Sequence, residues 1–268
     1  MALRVLNGGV FLSDEQWQWI EPFVRVERKS MGRPRANERE VFEAILFMLH
    51  TGIQWRYMPP GFPPKSTVHD YLQLWCQRDA FRKLFATLIG RIFELGRLEI
   101  DKGFIDATFA AAKGGGEAVG LTRKGKGTKI QLTTDAQGIP LAVSINAANV
   151  GEVQMVQQTM EFMHEEHRPK RMVGDKAYDC DALDIMLEDL GIEMISPHRR
   201  NRKPENRTQD GRKLKVYKHR WIVERTIAWL TNHRRLMVRH EKIAGLYFGF
   251  VNLGCFMIAL KKLPSCWL

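Results

Sequence analysis

The sequence predicts an α/β protein in which a mixed central sheet flanked by helices follows an all-helical N-terminal region. The first hundred residues repeat apolar side chains at helical spacing, with capping residues at the helix starts. From residue 100 onward, short apolar strands and a hairpin alternate with amphipathic helices. We therefore expect a helical domain over residues 1–97 and an α/β domain over residues 98–268.

Length and composition indicate a folded globular protein. The 268 residues are 44% hydrophobic and 26% charged, which excludes a disordered chain. No apolar run approaches the roughly 18 residues of a membrane span, and the N-terminus lacks a signal-peptide core, so we expect a cytoplasmic protein without a membrane partner. The four cysteines are scattered without a CxxC pair, which argues against a disulfide framework or a structural zinc site.

Capping patterns place the first two helices. Ser13 with Gln16, and Asn37 with Glu40, have the spacing of capping boxes in front of apolar runs. The second of these runs stops at Gly52, a residue favoured just beyond a helix end. Both segments are therefore predicted to be capped helices.

A Pro-rich loop separates these helices from two more. Ser66 is predicted to cap the third helix, and the fourth continues to about Gly96. This arrangement suits a helix-turn-helix type of DNA reader, while a packing or dimerisation bundle is an equally good interpretation. Arg33 and Arg35, in the linker between the first two helices, form a basic element able to enter a minor groove or simply a solvated linker.

The α/β region is predicted to contain a strand interrupted by Asp106, a hairpin turning at residues 135–138, and a strand ending near Asp175. Amphipathic helices over residues 150–167 and 179–191 and a brief strand over 192–197 follow. In the last predicted helix, Trp221, Ile227 and Ala228 are expected to face the core. The Gly/Lys-rich stretch 111–129 is expected to be a mobile surface loop.

The net charge of +11 is concentrated in one segment. Residues 198–242 contain 15 Lys and Arg against 4 Asp and Glu, which accounts for the whole excess. A basic stripe of this kind is typical of proteins that bind polyanions, although charged runs are also common on solvated surfaces. Arg199, Arg200 and Lys213 are candidate DNA contacts in this segment.

Three acidic residues stand in apolar surroundings. Asp106 interrupts an apolar strand, Asp175 ends another, and Glu224 lies on the apolar face of a helix. A single Asp at a strand end is usually a cap or turn former, and Arg220, one turn before Glu224, offers it a simple ion pair. Brought together, the three acids would repel one another unless a cation lay among them. Oxygen ligands without His or Cys select Mg²⁺ or Mn²⁺, and two such ions about 4 Å apart catalyse phosphodiester chemistry.

The order and spacing of these motifs resemble those of one protein family. The segments GFIDATF and GDKAYD, followed by Tyr217, Arg220 and Glu224 in the pattern Y-x-x-R-x-x-x-E, look like bacterial DDE transposases of the insertion sequence 5 family. The N-terminal TGIQWRYMPPGFPPKSTVHDYLQLW is also similar to that family, so the resemblance spans nearly the whole chain. It implies an RNase H-like catalytic domain in which Asp106 and Asp175 bind two Mg²⁺ ions, replaceable by Mn²⁺, and Glu224 is the third acid.

The resemblance also implies how DNA is held. Tyr217 and Arg220 are expected near DNA phosphate, and the N-terminal helices are expected to help recognise terminal inverted repeats. The family's signature has a Lys seven residues after the Glu, where this chain has Thr231. Arg234 or Arg235, one helical turn further on, is a candidate substitute.

The sequence thus predicts a bacterial transposase, associated with the nucleoid when bound to DNA. It would cleave double-stranded DNA at terminal inverted repeats and join the freed 3′-hydroxyls to target DNA, as a homodimer or a larger synaptic complex. Two alternatives stay open: another RNase H-like nuclease, such as a junction resolvase, and a DNA-binding protein derived from a transposase but without catalysis.

Overall fold

The structure is a computed structural model that describes residues 4–6, 9–27, 35–207 and 211–263. Arg33, predicted to contact a minor groove, lies outside the described residues, as does Cys266. Within them, Cys76, Cys180 and Cys255 are free thiols.

The N-terminal region starts with a small antiparallel sheet and continues as helices. The sheet, which the sequence did not predict, pairs β1 (Arg4–Leu6) with β2 (Gly9–Phe11). The helices are α1 (Asp14–Val24), α2 (Glu38–Thr51), α3 (Lys65–Gln77) and α4 (Ala80–Glu94). α3 starts one residue before Ser66, directly after Pro64, so the prediction that Ser66 caps this helix was wrong.

The caps of α1 and α2 follow the sequence closely. The Ser13 hydroxyl accepts the backbone N–H of Gln16 while the Gln16 side chain accepts that of Ser13, which completes the predicted capping box. Asn37 caps α2 through the N–H of Arg39. Gly52 ends α2 at φ 66°, a left-handed conformation that glycine adopts without strain.

Within the described residues, seven strands form a mixed sheet. They are β3 (Gly103–Ala112), β4 (Gly120–Thr122), β5 (Gly125–Asp135), β6 (Pro140–Ala147), β7 (Arg171–Val173), β8 (Glu193–Ile195) and β9 (Val238–Arg239). β3 pairs antiparallel with β5 and parallel with β7 and β9, β7 pairs parallel with β8, and β5 pairs antiparallel with β4 and β6. β4 lies inside the Gly/Lys-rich stretch, which therefore contains a paired strand where a mobile loop was expected.

Helices cover the sheet. They are α5 (Glu152–Glu161), α6 (Asp181–Asp189), α7 (Trp221–Thr231), α8 (Arg234–Met237) and α9 (Ala244–Leu260). Successive strand residues point to opposite faces of a sheet. Phe104 packs in a small cluster with Ile222 and Val223 of α7, whereas its neighbour Ile105 belongs to the large core cluster that includes Met160 of α5. The predicted mixed sheet with flanking helices is thus confirmed.

Helix α9 connects the two predicted regions. It is apolar nearly all round, is buried, and packs against α3 and α4 as well as β6 and α7. Leu84 of α4, Ile130 of β5 and Phe250 of α9 lie in one hydrophobic cluster, so the helical region and the sheet share a core. Among the described residues, we find no helix with the length and apolarity needed to cross a bilayer.

The face that α7 turns to the core differs from the predicted one. Trp221 is 52% exposed and Ala228 is also exposed, so the prediction that they face the core was wrong. Ile227, the third residue of that prediction, is partly buried and packs against the core. The buried residues of α7 are Ile222, Val223, Thr226 and Leu230. Glu224 therefore lies on the solvent side, with Trp221 and Ala228.

Candidate metal and DNA site

Two parallel strands bring Asp106 and Asp175 to the same end of the sheet. Phe104 of β3 is paired with Val173 of β7, and each Asp lies two residues further along its chain. The Asp106 side chain is 15% exposed. Asp175 caps the 3₁₀ turn Lys176–Tyr178 by accepting the N–H of Ala177 at 2.7 Å. The pairing of β3 with β7 thus assembles two predicted metal ligands that are far apart in sequence.

Arg220 joins the three predicted acids. A 3₁₀ segment, Lys213–His219, leads into α7 and places Arg220 at its start. Its Nη2 donates to Asp106 Oδ2 at 2.8 Å and to Glu224 Oε1 at 3.1 Å, and its Nη1 lies 3.9 Å from Asp175 Oδ2. Tyr217 lies beside the guanidinium, with 5.6 Å from Cζ to the ring centroid and a hydroxyl that accepts Nη1 at 3.2 Å. Tyr217 and Glu224 of the Y-x-x-R-x-x-x-E pattern are therefore joined through the Arg220 guanidinium, which also bonds Asp106.

Glu224 occupies the outer edge of this arrangement. Its side chain is 56% exposed, compared with 15% for Arg220. Through Arg220 it is linked to Asp106, and helical spacing alone accounts for the Arg220–Glu224 pair. Its assignment as the third acid stays a prediction.

A further carboxylate that the sequence analysis missed lies beside the two Asp residues. Glu152 is the first residue of α5, and one of its carboxylate oxygens lies within 4.8 Å of one from Asp106 and one from Asp175. In the sequence, Glu152 looks like an ordinary acid in the first helical turn, where the helix dipole favours negative charge. The one sequence signal for a role of Glu152 is its position just after the predicted hairpin. Only the folded structure shows that the start of this helix lies beside Asp106 and Asp175.

The electrostatics of the group indicate an excess of negative charge. Burial raises the pKa of Asp106, with Arg220 opposing and Asp175 adding to the shift. Burial likewise raises the pKa of Glu152, opposed by Lys129 and reinforced by Asp175 and Asp106. A site of clustered carboxylate oxygens suits a hard divalent cation such as Mg²⁺ or Mn²⁺. The residues present therefore fit a divalent metal.

Part of the basic segment is fixed to the turn that follows Asp175. Asp179 accepts the backbone N–H of Arg199 and the Nη1 of Arg202, both at 2.6 Å, and its Oδ1 lies 2.9 Å from His198 Nδ1. Asp179 therefore anchors this loop to the turn. The Arg199 guanidinium donates to two carbonyl oxygens of the turn, at 3.0 and 2.8 Å.

Arg235 does not lie where a DNA contact requires it. Its side chain is 3% exposed, its Nε donates to Glu241 at 2.7 Å, and its Nη1 donates to the carbonyl of Ile53 at 3.0 Å. The hypothesis that Arg235 contacts DNA disagrees with this burial. Arg234 is exposed. The hydroxyl of Thr231, where the family has Lys, donates to carbonyls of α7 itself.

The other predicted DNA contacts lie on the surface. Arg35, Arg200 and Arg234 are exposed. Lys213 is exposed as well and forms an ion pair with Glu193 on β8. The surface position of these side chains is compatible with phosphate contact, and their role stays a prediction.

Two family models match the chain. Residues 12–85 match the putative transposase of the IS4/5 family, and residues 97–258 match the transposase DDE domain. A putative transposase for insertion sequence element IS402 of Burkholderia cepacia is 35% identical over 140 residues, covering 49% of this chain and 59% of that protein. The chain therefore matches less than two thirds of that relative's length. An uncharacterized 16.2 kDa protein of the same insertion element is 26% identical over 117 residues, covering 41% of this chain and 80% of that protein.

The fold is also similar to a solved structure. The piggyBac transposase in a synaptic complex with hairpin DNA has a TM-score of 0.50 at 12% identity, covering 94% of this chain and 73% of that chain. This likeness concerns the fold alone, and with it the predicted RNase H-like class is confirmed. Because the model of the transposase DDE domain matches more than half of the residues, the chain belongs to the DDE transposases, and its N-terminal residues match the model of the IS4/5 family.

Proposed function

We propose that this protein is the transposase of an insertion sequence. It binds the terminal inverted repeats of its element, cleaves the ends by metal-dependent phosphodiester hydrolysis and joins the 3′-hydroxyl ends to target DNA. The observation that carries the proposal is the meeting of Asp106, Asp175 and Arg220 at one end of the sheet, within residues that match the DDE domain.

Asp106 and Asp175 would hold the metal ions. Glu224, at the outer edge of the site, would complete the ligand set of the second ion or position that ion. Divalent ions, two in the proposed scheme, activate the attacking oxygen and stabilise the leaving oxygen of a phosphodiester when bound. Arg220 donates through Nη2 to Asp106 and through Nη1 to the Tyr217 hydroxyl. These two side chains would hold the phosphate of the cleaved strand, since a guanidinium binds phosphate oxygens in pairs.

DNA is the partner that the charge and the fold support. The exposed Arg35, Arg200, Arg234 and Lys213 would contact phosphates. The helices of residues 1–97, although they share a core with residues 98–268, would recognise the repeats. Joining two ends in one reaction requires a homodimer or a larger synaptic complex, the kind of assembly in which the piggyBac relative was solved. With this substrate the protein would act on the nucleoid, in the bacterial cytoplasm.

A cleavage and joining assay tests the proposal. The substrate is a plasmid that carries the DNA on both sides of the gene, because this flanking DNA contains the ends of the element. The reaction contains Mg²⁺ or Mn²⁺. We expect strand-transfer products that depend on the repeats. Products cut without joining would indicate a nuclease instead, and binding without any cutting would indicate a non-catalytic descendant.

Substitutions of the acidic residues test which of them are needed for cleavage and joining. Asp106→Asn and Asp175→Asn are each expected to lower cleavage and joining by more than about 100-fold, because even groups supporting a metal ligand are worth 10–100-fold. Glu224→Gln is expected to do the same if it is the third acid. DNA binding, measured by gel shift without metal, should remain. Wild-type rates in Asp106→Asn or Asp175→Asn would contradict the proposed site.

A further inference from the structure

Glu152 lies outside the Y-x-x-R-x-x-x-E pattern, yet its carboxylate lies beside those of Asp106 and Asp175. We propose that Glu152 is a further metal ligand, acting with Asp106 and Asp175. The inference rests on the proposed function, because it assumes the same metal. Among the described residues, these three acids form the group with ligand atoms within 4.8 Å of one another, and Glu224 is not part of it.

The backbone around Glu152 is held by strand β5, which pairs with the strand carrying Asp106. The Lys129 ammonium donates to the carbonyl of Val150 at 2.8 Å, and the Gln131 side-chain amide donates to the carbonyl of Glu152 at 2.9 Å. Lys129 and Gln131 are both on β5, opposite Phe109 and Ala107 of β3. The start of α5 is therefore fixed against the strand that carries Asp106.

The same network reaches the turn that carries Asp175. The Gln131 amide also donates to the hydroxyl of Tyr178 at 3.2 Å, and the Gln131 carbonyl oxygen accepts the hydroxyl of Thr159 on α5 at 2.8 Å. Gln131, Thr159 and Tyr178 are fully buried. A buried, mutually bonded network of this kind holds its parts in one geometry. It fixes Glu152, Asp106 and Asp175 relative to one another.

The balance of charge also favours a cation among these acids. Asp106, Glu152, Asp175 and Glu224 face two cationic side chains: Arg220 and Lys129, which lies 3.6 Å from Glu152. Two negative charges are left over, the charge of one divalent ion. Glu152 is 22% exposed and Asp106 15%, so solvent screens their repulsion only in part. A cation bound among them removes it.

The competing explanation is a structural pair, in which Glu152 interacts with Lys129 and the start of α5 and has no metal to bind. The two explanations differ in the effect of Lys129. If Glu152 is a ligand, Lys129→Met removes a competing cation and tightens metal binding, while Glu152→Gln weakens it. If the pair is structural, both substitutions change stability, and Glu152→Asp, which keeps the charge, leaves metal affinity at the wild-type value.

Titration of the DNA-free protein with Mn²⁺ separates them, with free Mn²⁺ followed by electron paramagnetic resonance. Glu152→Gln is expected to weaken Mn²⁺ binding by about 10–100-fold, and Lys129→Met to strengthen it. Glu161→Gln is the matched control, since Glu161 is exposed at the other end of α5. If Glu152→Gln fails to fold, Glu152→Asp keeps the charge with a shorter reach, and weaker binding than in the wild type is again expected.

Two further variants separate failure of this inference from failure of the proposed function. If Asp106→Asn and Asp175→Asn weaken Mn²⁺ binding while Glu152→Gln and Glu152→Asp bind as the wild type does, Glu152 is not a ligand and the metal site itself stands. If Mn²⁺ binding is unchanged in all four variants, the proposed metal site is overturned as well.

Discussion

Two of the arginine–carboxylate clusters in this protein are built in opposite ways. In the open cluster (Asp106, Glu152, Asp175, Arg220), acids outnumber the guanidinium and the side chains keep 15–35% exposure. In the closed cluster (Arg235, Arg239, Glu241), guanidiniums outnumber the acid and the side chains are almost fully buried.

The closed cluster has its surplus donors satisfied within the protein. Arg239 donates to the carbonyl of Glu241 at 2.8 Å and to the hydroxyl of Thr128 at 2.6 Å, and Arg235 donates to the carbonyl of Ile53. The closed cluster thus uses charge to hold β9, α8 and β5 together. The open cluster has acceptors left over and a path to solvent. The difference shows that accessibility and the balance of donors and acceptors distinguish a binding site from a structural ion pair.

The largest expected effect is on the stability of the closed cluster. Arg235→Met leaves the Glu241 carboxylate buried without its guanidinium partner, which is expected to lower the free energy of unfolding by about 3–5 kcal/mol. Denaturant unfolding measures the loss. Mn²⁺ affinity should stay at the wild-type value, and a loss under about 1 kcal/mol would show that the cluster is not structural.

The next effect concerns pH, at the loop that precedes Arg235. Burial, with His50 and Lys261 nearby, lowers the pKa of His233 to about 4. The folded state therefore binds the proton less well than the unfolded state, whose His has a pKa near 6.5, so stability is lost as pH falls from about 6.5 to 4. The expected loss is about 3 kcal/mol. In His233→Phe this part of the pH dependence should vanish, as measured by unfolding at pH 7 and pH 4.

Metal binding at the open cluster is expected to stabilise the protein, whereas the closed cluster is not expected to bind metal. Mn²⁺ at about 100 times its Kd is expected to stabilise the wild type by about 2.7 kcal/mol, and excess chelator should abolish the gain. Asp106→Asn should show no gain, whereas Asp101→Asn, an exposed Asp paired with Arg171, should retain it. Equal stabilisation of Asp106→Asn and the wild type would place the bound metal elsewhere.

The smallest effects are expected from the exposed basic side chains. Arg200→Ala and Arg234→Ala should each reduce the slope of log affinity for DNA against log salt by about 0.9, the value for one phosphate contact. Fluorescence anisotropy at several salt concentrations measures the slope. Lys170→Ala is the control, because Lys170 is exposed just before β7, at the end of that strand away from Asp175. A slope unchanged from the wild type in both Arg variants would remove these residues from the DNA surface.

Local patterns were predictable because they depend on neighbours in the sequence. The capping box of Ser13, the end of α2 at Gly52 and the hairpin of β5 and β6 follow from side-chain chemistry within a few residues. Asp106 and Asp175 stood out as charges in apolar strands, and Arg220 as a partner one helical turn from Glu224. The family followed from the order of these motifs.

The sequence by itself thus determined the fold class, the family and the two Asp residues of the candidate site. Tertiary structure decided the rest, because burial and proximity depend on contacts between distant segments. The pairing of β3 with β7 brought Asp106 to Asp175, and the position of α5 added Glu152. Packing turned Trp221 outward and Arg235 inward, although both belong to the same basic segment.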